Sequence, residues 1–287
     1  MSAITDIWRN LAGHSTSDFG RLADVLQLST QQVGQIPADP RLCYRNYTIK
    51  KRSGMSRQIS EPSGALKLLQ RRLLSNYLSA IPVSTAAIAF RRGMSIATHA
   101  RRHLNQSIVL TVDLAGFFPA TSSQRIRSWF REQGWCGESL RVLMRLTTYR
   151  GSLPQGAPTS PVLSNLVNDD LDRQLLEITQ MSLGGYSRYC DDLAFSWSTD
   201  REPTAWRNQV EEILQRFGYA VNKQKGWNLQ RAREHPELTG IAIHGAHLRP
   251  SQENVRKIRR ARRSRKSAQQ QWQGYRGFLR MLRLRRG

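Results

Sequence analysis

The chain has 287 residues, enough for one large or two modest domains, and 44 Lys and Arg against 21 Asp and Glu leave a net charge of +23. This charge favours a polyanionic partner, with nucleic acid the first choice and an anionic membrane surface the second. There is no apolar run of about 18 residues, no secretory signal and no closely spaced cysteine pair, so we expect no membrane span, no zinc site and a cytoplasmic location.

The first half of the chain begins with mixed polar and apolar positions, which predict a helical cap over residues 1–43. Residues 44–61 predict a hairpin around the turn Lys51–Gly54. A helix then opens at Pro62-Ser63, with apolar side chains every three or four positions. Residues 107–113 form an apolar run that predicts a buried strand ending on the carboxylate of Asp113.

The second half predicts one long helix that opens at Ser160-Pro161 and reaches Ile178. A strand pair follows around Tyr189–Asp192, and then a helix over 204–217. Short strands over 219–222 and 238–244 precede a basic, helical tail. Because helices and strands do not alternate strictly, the order favours an α+β fold.

Two adjacent carboxylates, Asp191 and Asp192, interrupt an apolar, strand-like stretch. Burying them is costly without a compensating cation, and a divalent metal ion is the natural occupant. Asp113 supplies a third carboxylate if the fold brings the two segments together. Two divalent ions about 3.5–4 Å apart, held by such carboxylates, serve nucleotidyl transfer. Each acid alone is equally typical of a turn or a cap, and we interpret Asp169-Asp170 as a solvated helix face.

Seven segments resemble, in order, the motifs of retron-type bacterial reverse transcriptases. They are Tyr47 to Pro62, Phe90 to His103, Thr111-Val-Asp113-Leu-x-x-Phe117-Phe118-Pro119, Leu153 to Pro161, Tyr189-Cys-Asp-Asp192, Gly218-Tyr-x-x-Asn222-x-x-Lys225 and Leu238-Thr-Gly240. Three positions depart from the family pattern. His99 replaces Asn in the Asn-Ala-x-x-His motif, Leu238 replaces Val, and Cys190 replaces the commoner Ala.

The resemblance implies a right-hand polymerase fold, with fingers, a palm built on an antiparallel sheet with packed helices, and a helical basic thumb. The corresponding domains are an N-terminal cap over 1–43, fingers over 44–106, a palm with the catalytic motifs over 107–237 and a thumb over 238–287.

The resemblance also assigns roles to single residues. Asp113, Asp191 and Asp192 become catalytic metal ligands for two Mg²⁺ ions, with Mn²⁺ as an alternative. The nucleotide contacts are Lys51, Arg57, Phe118, Gln155, Gly156 and Lys225. Among these, the Phe118 ring excludes a 2′-hydroxyl, and Lys225 protonates the leaving pyrophosphate. A core phenylalanine, surface charges and an ordinary loop are the structural alternatives for these positions.

Basic side chains are the candidates for binding nucleic acid. We expect Arg91 and Arg92 to hold template phosphates, with solvated surface charges as the alternative. The run from Arg256 onward predicts a helix that grips RNA or an RNA–DNA duplex in a salt-dependent way. Its candidate contacts are Arg256, Lys257, Arg259, Arg260, Arg262 and Arg263.

By resemblance, the protein is an RNA-directed DNA polymerase that copies part of a structured noncoding RNA into single-stranded DNA. Retron enzymes prime from a 2′-hydroxyl, leave branched RNA–DNA (msDNA) and act in defence against phage. The expected partners are that RNA, its RNA–DNA product, deoxynucleoside triphosphates and a separate effector protein. Two alternatives stay open: another defence-associated or group II intron-like reverse transcriptase, and a catalytically dead RNA-binding scaffold. The oligomeric state does not follow from the sequence.

Overall fold

The computed structural model describes residues 18–37, 39, 43–50, 56–263 and 269–283. Side chains are described over these ranges except at 262–272 and 283. The first 17 residues of the expected cap and the turn that carries Lys51 lie outside the described residues, as do the side chains of Arg262 and Arg263. In these ranges, no helix is long and apolar enough to cross a membrane.

The secondary structure of the described ranges mixes short strands with helices. The helices are α1 (Asp18–Leu26), α2 (Thr30–Gly34), α3 (Gly64–Asn76), α4 (Ile96–Arg101), α5 (Phe117–Ala120), α6 (Ser123–Glu132), α7 (Gly137–Thr147), α8 (Ser160–Leu166), α9 (Asp169–Met181), α10 (Trp206–Arg216), α11 (Gln252–Arg263) and α12 (Gln269–Arg283). The strands are β1 (Tyr44–Lys50), β2 (Ser56–Pro62), β3 (Ile108–Asp113), β4 (Gly185–Tyr189), β5 (Asp192–Trp197), β6 (Trp227–Arg231), β7 (Glu237–Leu238), β8 (Ile241–His244) and β9 (His247–Pro250). Residues Leu78–Ala80 and Ala232–Glu234 form 3-10 turns. The predicted α+β class is confirmed.

The chain divides into two compact units, Met1–Ser84 with Gly116–Asp170, and Thr85–Ala115 with Leu171–Gly287. The subdivision into cap, fingers, palm and thumb stays a prediction. In the first unit, β1 and β2 form an antiparallel hairpin, and the helices enclose an apolar core. Within that unit, the buried indole Nε1 of Trp135 donates to the hydroxyl of Tyr77 at 2.8 Å.

The second unit is built on a four-stranded sheet in the order β4-β5-β3-β6, with every pair antiparallel. Strand β3 is central, and its first three residues are fully buried, as the apolar run predicts. Aromatic rings fix α10 against this sheet, since Trp206 lies 4.5 Å from Phe195 and 4.8 Å from Trp197 between ring centroids. These rings pack α10 against the sheet whose strand β3 ends at Asp113.

A smaller antiparallel sheet, β7-β8-β9, follows in the same unit. Three side chains of α12, Phe278, Met281 and Leu282, pack against its apolar side chains. The guanidinium of Arg101 donates to the backbone oxygen of Met281 at 2.7 Å, which satisfies a carbonyl near the C-terminal end of α12.

Three predicted elements are wrong in detail. The long helix from Ser160 is two helices, because the Nη2 of Arg125 donates to the carbonyl of Val167 and the side chain of Asn168, where α8 ends. Residues 219–222 make only an isolated bridge from Val221 to Leu114, and the sheet strand is β6 instead. The segment 238–244 is two strands, separated by a turn at Thr239-Gly240 where both φ angles are positive.

Candidate active site

Three carboxylates meet at one end of the four-stranded sheet. Asp113 is the last residue of β3, and it lies opposite Asp192, the first residue of β5. Asp191 occupies the tight turn between β4 and β5. The two segments are far apart in the chain, so the antiparallel pairing of β3 with β5 brings their acids together. Asp113 is 8% exposed, which places its carboxylate in a poorly hydrated position.

The turn between β4 and β5 has two central residues, Cys190 and Asp191, because Tyr189 pairs with Asp192. Cys190 adopts a φ of +62°, the left-handed region that a side chain disfavours. The backbone N–H of Leu114 donates to the carbonyl of Asp191 at 2.9 Å. This hydrogen bond ties the turn to the residue that follows Asp113.

Asn222 and Lys225 approach Asp113 from the loop after α10. The amide of Asn222 donates to Oδ1 of Asp113 at 2.7 Å, and the ammonium of Lys225 forms an ion pair with Oδ2. The backbone N–H of Asn222 also donates to the carbonyl of Asp113 at 2.8 Å. Lys225, which we predicted to contact the leaving pyrophosphate, is therefore paired with Asp113 in this structure. The sequence motif contained Asn222 but did not reveal that its amide binds the carboxylate of Asp113.

The electrostatics of this cluster indicate a deficit of positive charge. Burial, together with the negative charges of Asp191 and Asp113, raises the pKa of Asp192 to about 7, although Lys225 opposes the shift. Burial alone would lower the pKa of Lys225, but its hydrogen bond to Asp113 and the nearby carboxylates raise it. A further cation would relieve the repulsion between these acids.

Carboxylate oxygens are the donors that hard divalent ions prefer, so the chemistry of the three aspartates fits such an ion. Among the described residues, no three or more His, Cys, Asp and Glu side chains are already arranged around a metal position. The ammonium of Lys225 supplies the positive charge at Asp113 in this arrangement. A divalent ion bound there would therefore compete with Lys225 for the carboxylate of Asp113.

The predicted nucleotide contacts that are described, other than Lys225, belong to the first unit. Arg57 lies exposed on β2, opposite Ile49. Phe118 is half-buried in α5 and packs against the apolar core, while its neighbour Phe117 is a core residue. Lys51 lies outside the described residues.

Gln155 and Gly156 touch strand β2 of their own chain. The carbonyl of Gln155 accepts from the N–H of Ser60 at 2.8 Å. Gly156 has a φ of +125°, and a Cβ there would lie 3.0 Å from both Cγ2 of Ile59 and the carbonyl oxygen of Ser60. The close approach that this glycine permits is therefore to the hairpin.

The predicted phosphate contacts differ in how they are held. The guanidinium of Arg91 donates to the carbonyl of Ala87 at 2.9 Å, whereas Arg92 is exposed. On α11, Arg256, Arg259 and Arg260 are exposed, and Lys257 pairs with Glu253 at 2.5 Å. Ile258 and Ala261 are buried on the opposite side of that helix. Helix α11 consequently presents a basic face.

The sequence reasoning missed Asp172 and Arg188, which form an ion pair with no solvent exposure. Arg188 directly precedes the Tyr-x-Asp-Asp motif, and a charged residue inside an apolar strand was the available signal. The partner Asp172 follows Asp169-Asp170 on α9. The prediction that Asp169 and Asp170 form a solvated helix face holds only for Asp170, which is exposed. Oδ1 of Asp169 instead accepts a hydrogen bond from the N–H of Ser84 at 2.5 Å.

Comparison with known proteins identifies the family. Residues 49–234 match the family of reverse transcriptases (RNA-dependent DNA polymerases). The chain belongs to this family. The predicted right-hand polymerase fold and the resemblance to retron enzymes are thereby confirmed.

The relatives include two retron enzymes. The chain is 33% identical over 231 residues to the retron Mx162 reverse transcriptase of Myxococcus xanthus, which covers 71% of this chain and 47% of that protein. It is 31% identical over 202 residues to the retron Ec86 reverse transcriptase of Escherichia coli, covering 70% and 63%. The chain thus spans about half to two thirds of these relatives. A telomerase from Candida albicans has a similar structure, with a TM-score of 0.49, 11% identity and coverage of 73% and 46%.

Proposed function

We propose that this protein is an RNA-directed DNA polymerase of the retron type. It copies part of a structured noncoding RNA into single-stranded DNA, and leaves a branched RNA–DNA product that serves defence against phage. The proposal rests on one observation: Asp113, Asp191 and Asp192 lie together at the same end of an antiparallel sheet.

The three aspartates would hold two divalent ions, Mg²⁺ or Mn²⁺. Bound there, the ions would favour deprotonation of the attacking hydroxyl and stabilise charge on the α-phosphate and the leaving pyrophosphate. Asn222 orients the carboxylate of Asp113 through its amide. Lys225 exchanges its ion pair with Asp113 for the pyrophosphate and donates a proton to it, as a general acid of suitable reach.

The other proposed nucleotide contacts act by position and shape. Arg57 offers a bidentate fork for the triphosphate, together with Lys51. Phe118 excludes a 2′-hydroxyl by steric clash. Gln155 offers a side-chain amide to the sugar or base, and Gly156 holds the loop of Gln155 against the hairpin.

Nucleic acid would bind through the basic surface. The net charge of +23 and the exposed arginines of α11 favour phosphate contacts. Arg91 and Arg92 would contribute on the template side. The similarity to retron enzymes supports a dedicated noncoding RNA as template and primer, and a separate effector protein as partner.

Primer extension on a primed RNA template with Mg²⁺ tests the polymerase proposal. We expect complementary DNA from the wild type and a loss of at least about 100-fold in Asp191→Asn, because charge stabilisation is a large catalytic term. Asp200→Asn is the matched control, since Asp200 is exposed and outside the cluster, and it should keep the wild-type rate. No DNA from the wild type on any template would overturn the proposal and favour the RNA-binding scaffold.

The retron part has its own test. Nucleic acid that co-purifies with the protein from its native host is sequenced and treated with a debranching enzyme. One abundant RNA–DNA species that the treatment separates is the expected result. A random mixture of cellular RNA would contradict a dedicated template and favour another type of reverse transcriptase.

A further inference from the structure

Beneath the turn that carries Asp191, three polar side chains of the second unit form a fully buried cluster. Asp172 on α9 and Arg188 on β4 are each 0% exposed, and Tyr186 is 2% exposed. The guanidinium donates from Nε to Oδ1 of Asp172 at 2.8 Å and from Nη2 to Oδ2 at 2.5 Å. The hydroxyl of Tyr186 donates to Oδ1 at 2.8 Å. The carboxylate therefore orients the guanidinium plane through two hydrogen bonds, and the hydroxyl of Tyr186 holds the carboxylate.

The remaining terminal nitrogen of that guanidinium points to the turn. Nη1 of Arg188 donates to the carbonyl of Cys190 at 3.2 Å. This carbonyl belongs to the peptide unit whose N–H is that of Asp191. Because a guanidinium is planar and rigid, the two bonds to Asp172 also set the direction of the bond to Cys190.

The turn needs such support, because Cys190 has a φ of +62°. A non-glycine residue in this region persists only where its surroundings hold it. The peptide after Asp191 is held by the N–H of Leu114, and the peptide before it is held by Arg188. The backbone of Arg188 is itself fixed, since its N–H donates to Ala86 at 2.8 Å and its carbonyl accepts from Ile88 at 2.9 Å.

Fold stability alone gives a weak reason for this cluster. A buried ion pair is often no more stabilising than apolar side chains of similar volume, because desolvation offsets the attraction. An arginine with one hydrogen bond into the turn beside Asp191 has a second use, which apolar side chains could not replace.

We propose that Arg188, oriented by Asp172 and Tyr186, is a positioning residue that sets the orientation of Asp191 through the carbonyl of Cys190. The inference rests on the proposed polymerase function for its catalytic consequence. Its structural part, the restraint of the turn, can be measured without any activity.

The test variant is the triple substitution Asp172→Leu, Tyr186→Phe and Arg188→Met. It removes the carboxylate, the guanidinium and the hydroxyl of Tyr186 together, so neither buried charge is left without its partner. A second variant, Arg188→Lys, keeps a positive charge for Asp172 but lacks the fork that also reaches Cys190. The control is Arg72→Lys, because Arg72 also donates to backbone carbonyls, those of Leu26 and Gln27, but belongs to the first unit.

Two readouts separate positioning from folding. Amide hydrogen exchange at Leu114, whose partner is the turn carbonyl, should become at least about tenfold faster in both test variants, while the thermal midpoint of the triple variant stays near that of the wild type. In primer extension, kcat should fall at least about tenfold with the KM for nucleotide changed less than threefold, because misplacement of a catalytic group affects the chemical step.

Wild-type exchange at Leu114 and wild-type kcat in either folded variant would overturn the positioning role. If the triple variant does not fold, Arg188→Lys carries the same two measurements. If the wild type makes no DNA, the proposed function fails, and exchange at Leu114 still decides whether Arg188 restrains the turn.

Discussion

Acid should destabilise the second unit through two buried histidines. His103 bridges Ser196 and Ser187, with both of its ring nitrogens 2.8 Å from a hydroxyl oxygen, and Ser187 also lies 2.8 Å from Nδ1 of His99. The Nε2 of His99 is buried without a partner. Burial, reinforced by the charge of Arg102, lowers the pKa of His99 from 6.5 to about 3. Burial likewise holds the pKa of His103 well below its usual value.

The direction in which the free energy of unfolding changes with pH depends on whether the folded or the unfolded chain binds protons first. Both folded-state pKa values lie below the unfolded value of 6.5, so the unfolded chain takes up protons first as the pH falls. The two histidines therefore leave the free energy of unfolding unaffected above about pH 6.5 and lower it progressively below that pH. Each pH unit costs about 1.4 kcal/mol per histidine, and the loss at pH 5 is therefore about 2 kcal/mol for His99 alone.

Asp192 acts in the opposite direction, so the total stability is not the quantity to measure. Its pKa is raised from 3.8 to about 7, and its contribution to stability grows as the pH falls through that window. The difference between the wild type and His99→Asn cancels this contribution. Asparagine is the residue that the family usually carries at this position, and it does not titrate.

The assay is urea unfolding followed by tryptophan fluorescence at pH 7.5 and pH 5. The free energy of unfolding of the wild type, minus that of His99→Asn, should fall by about 2 kcal/mol between the two pH values. His247→Asn is the exposed control and is measured in the same way. A difference for His99→Asn that is the same at both pH values would refute the argument that His99 is held neutral in the folded protein.

Two further predictions concern the candidate site. Gly156→Ala should destabilise the protein by about 2–3 kcal/mol in urea unfolding, since its Cβ would lie 3.0 Å from a backbone oxygen at a φ of +125°. Gly64→Ala, at the start of α3 with open space, should instead stabilise by about 0.4–1 kcal/mol, and equal effects would contradict the steric argument. Lys225→Met should lower kcat in primer extension by about 100-fold. Lys225→Arg should keep the ion pair with Asp113 but not the rate, because a guanidinium does not release a proton, and a wild-type rate in Lys225→Arg would exclude the proton-donor role.

Local patterns in the sequence were enough for several elements and for the chemistry. The hairpin of β1 and β2, the buried strand β3 and the helix α10 follow from short-range alternation and helical periodicity. The carboxylates were recognisable because acids in an apolar stretch are costly without a cation. The order of the seven motifs identified the family, which the comparison confirmed.

Tertiary contacts decided what local patterns could not. The helix from Ser160 ends at Leu166 because the guanidinium of Arg125, which is distant in the chain, donates a hydrogen bond to the carbonyl of Val167. Strand β6 rather than 219–222 joins the sheet because β3 offers its free edge to residues 227–231. Periodicity carries no information about either partner, since each partner lies at least 42 residues away in the chain.

The three aspartates show the same difference between what local sequence determines and what tertiary contacts determine. The sequence by itself determined that Asp113, Asp191 and Asp192 suit a divalent ion. Only the tertiary structure decided that Asp113 and Asp192 are cross-strand neighbours, and that Arg188 bonds the turn beside Asp191. A residue's chemistry is present in its side chain, but its partners depend on strand register and burial, which the whole fold sets.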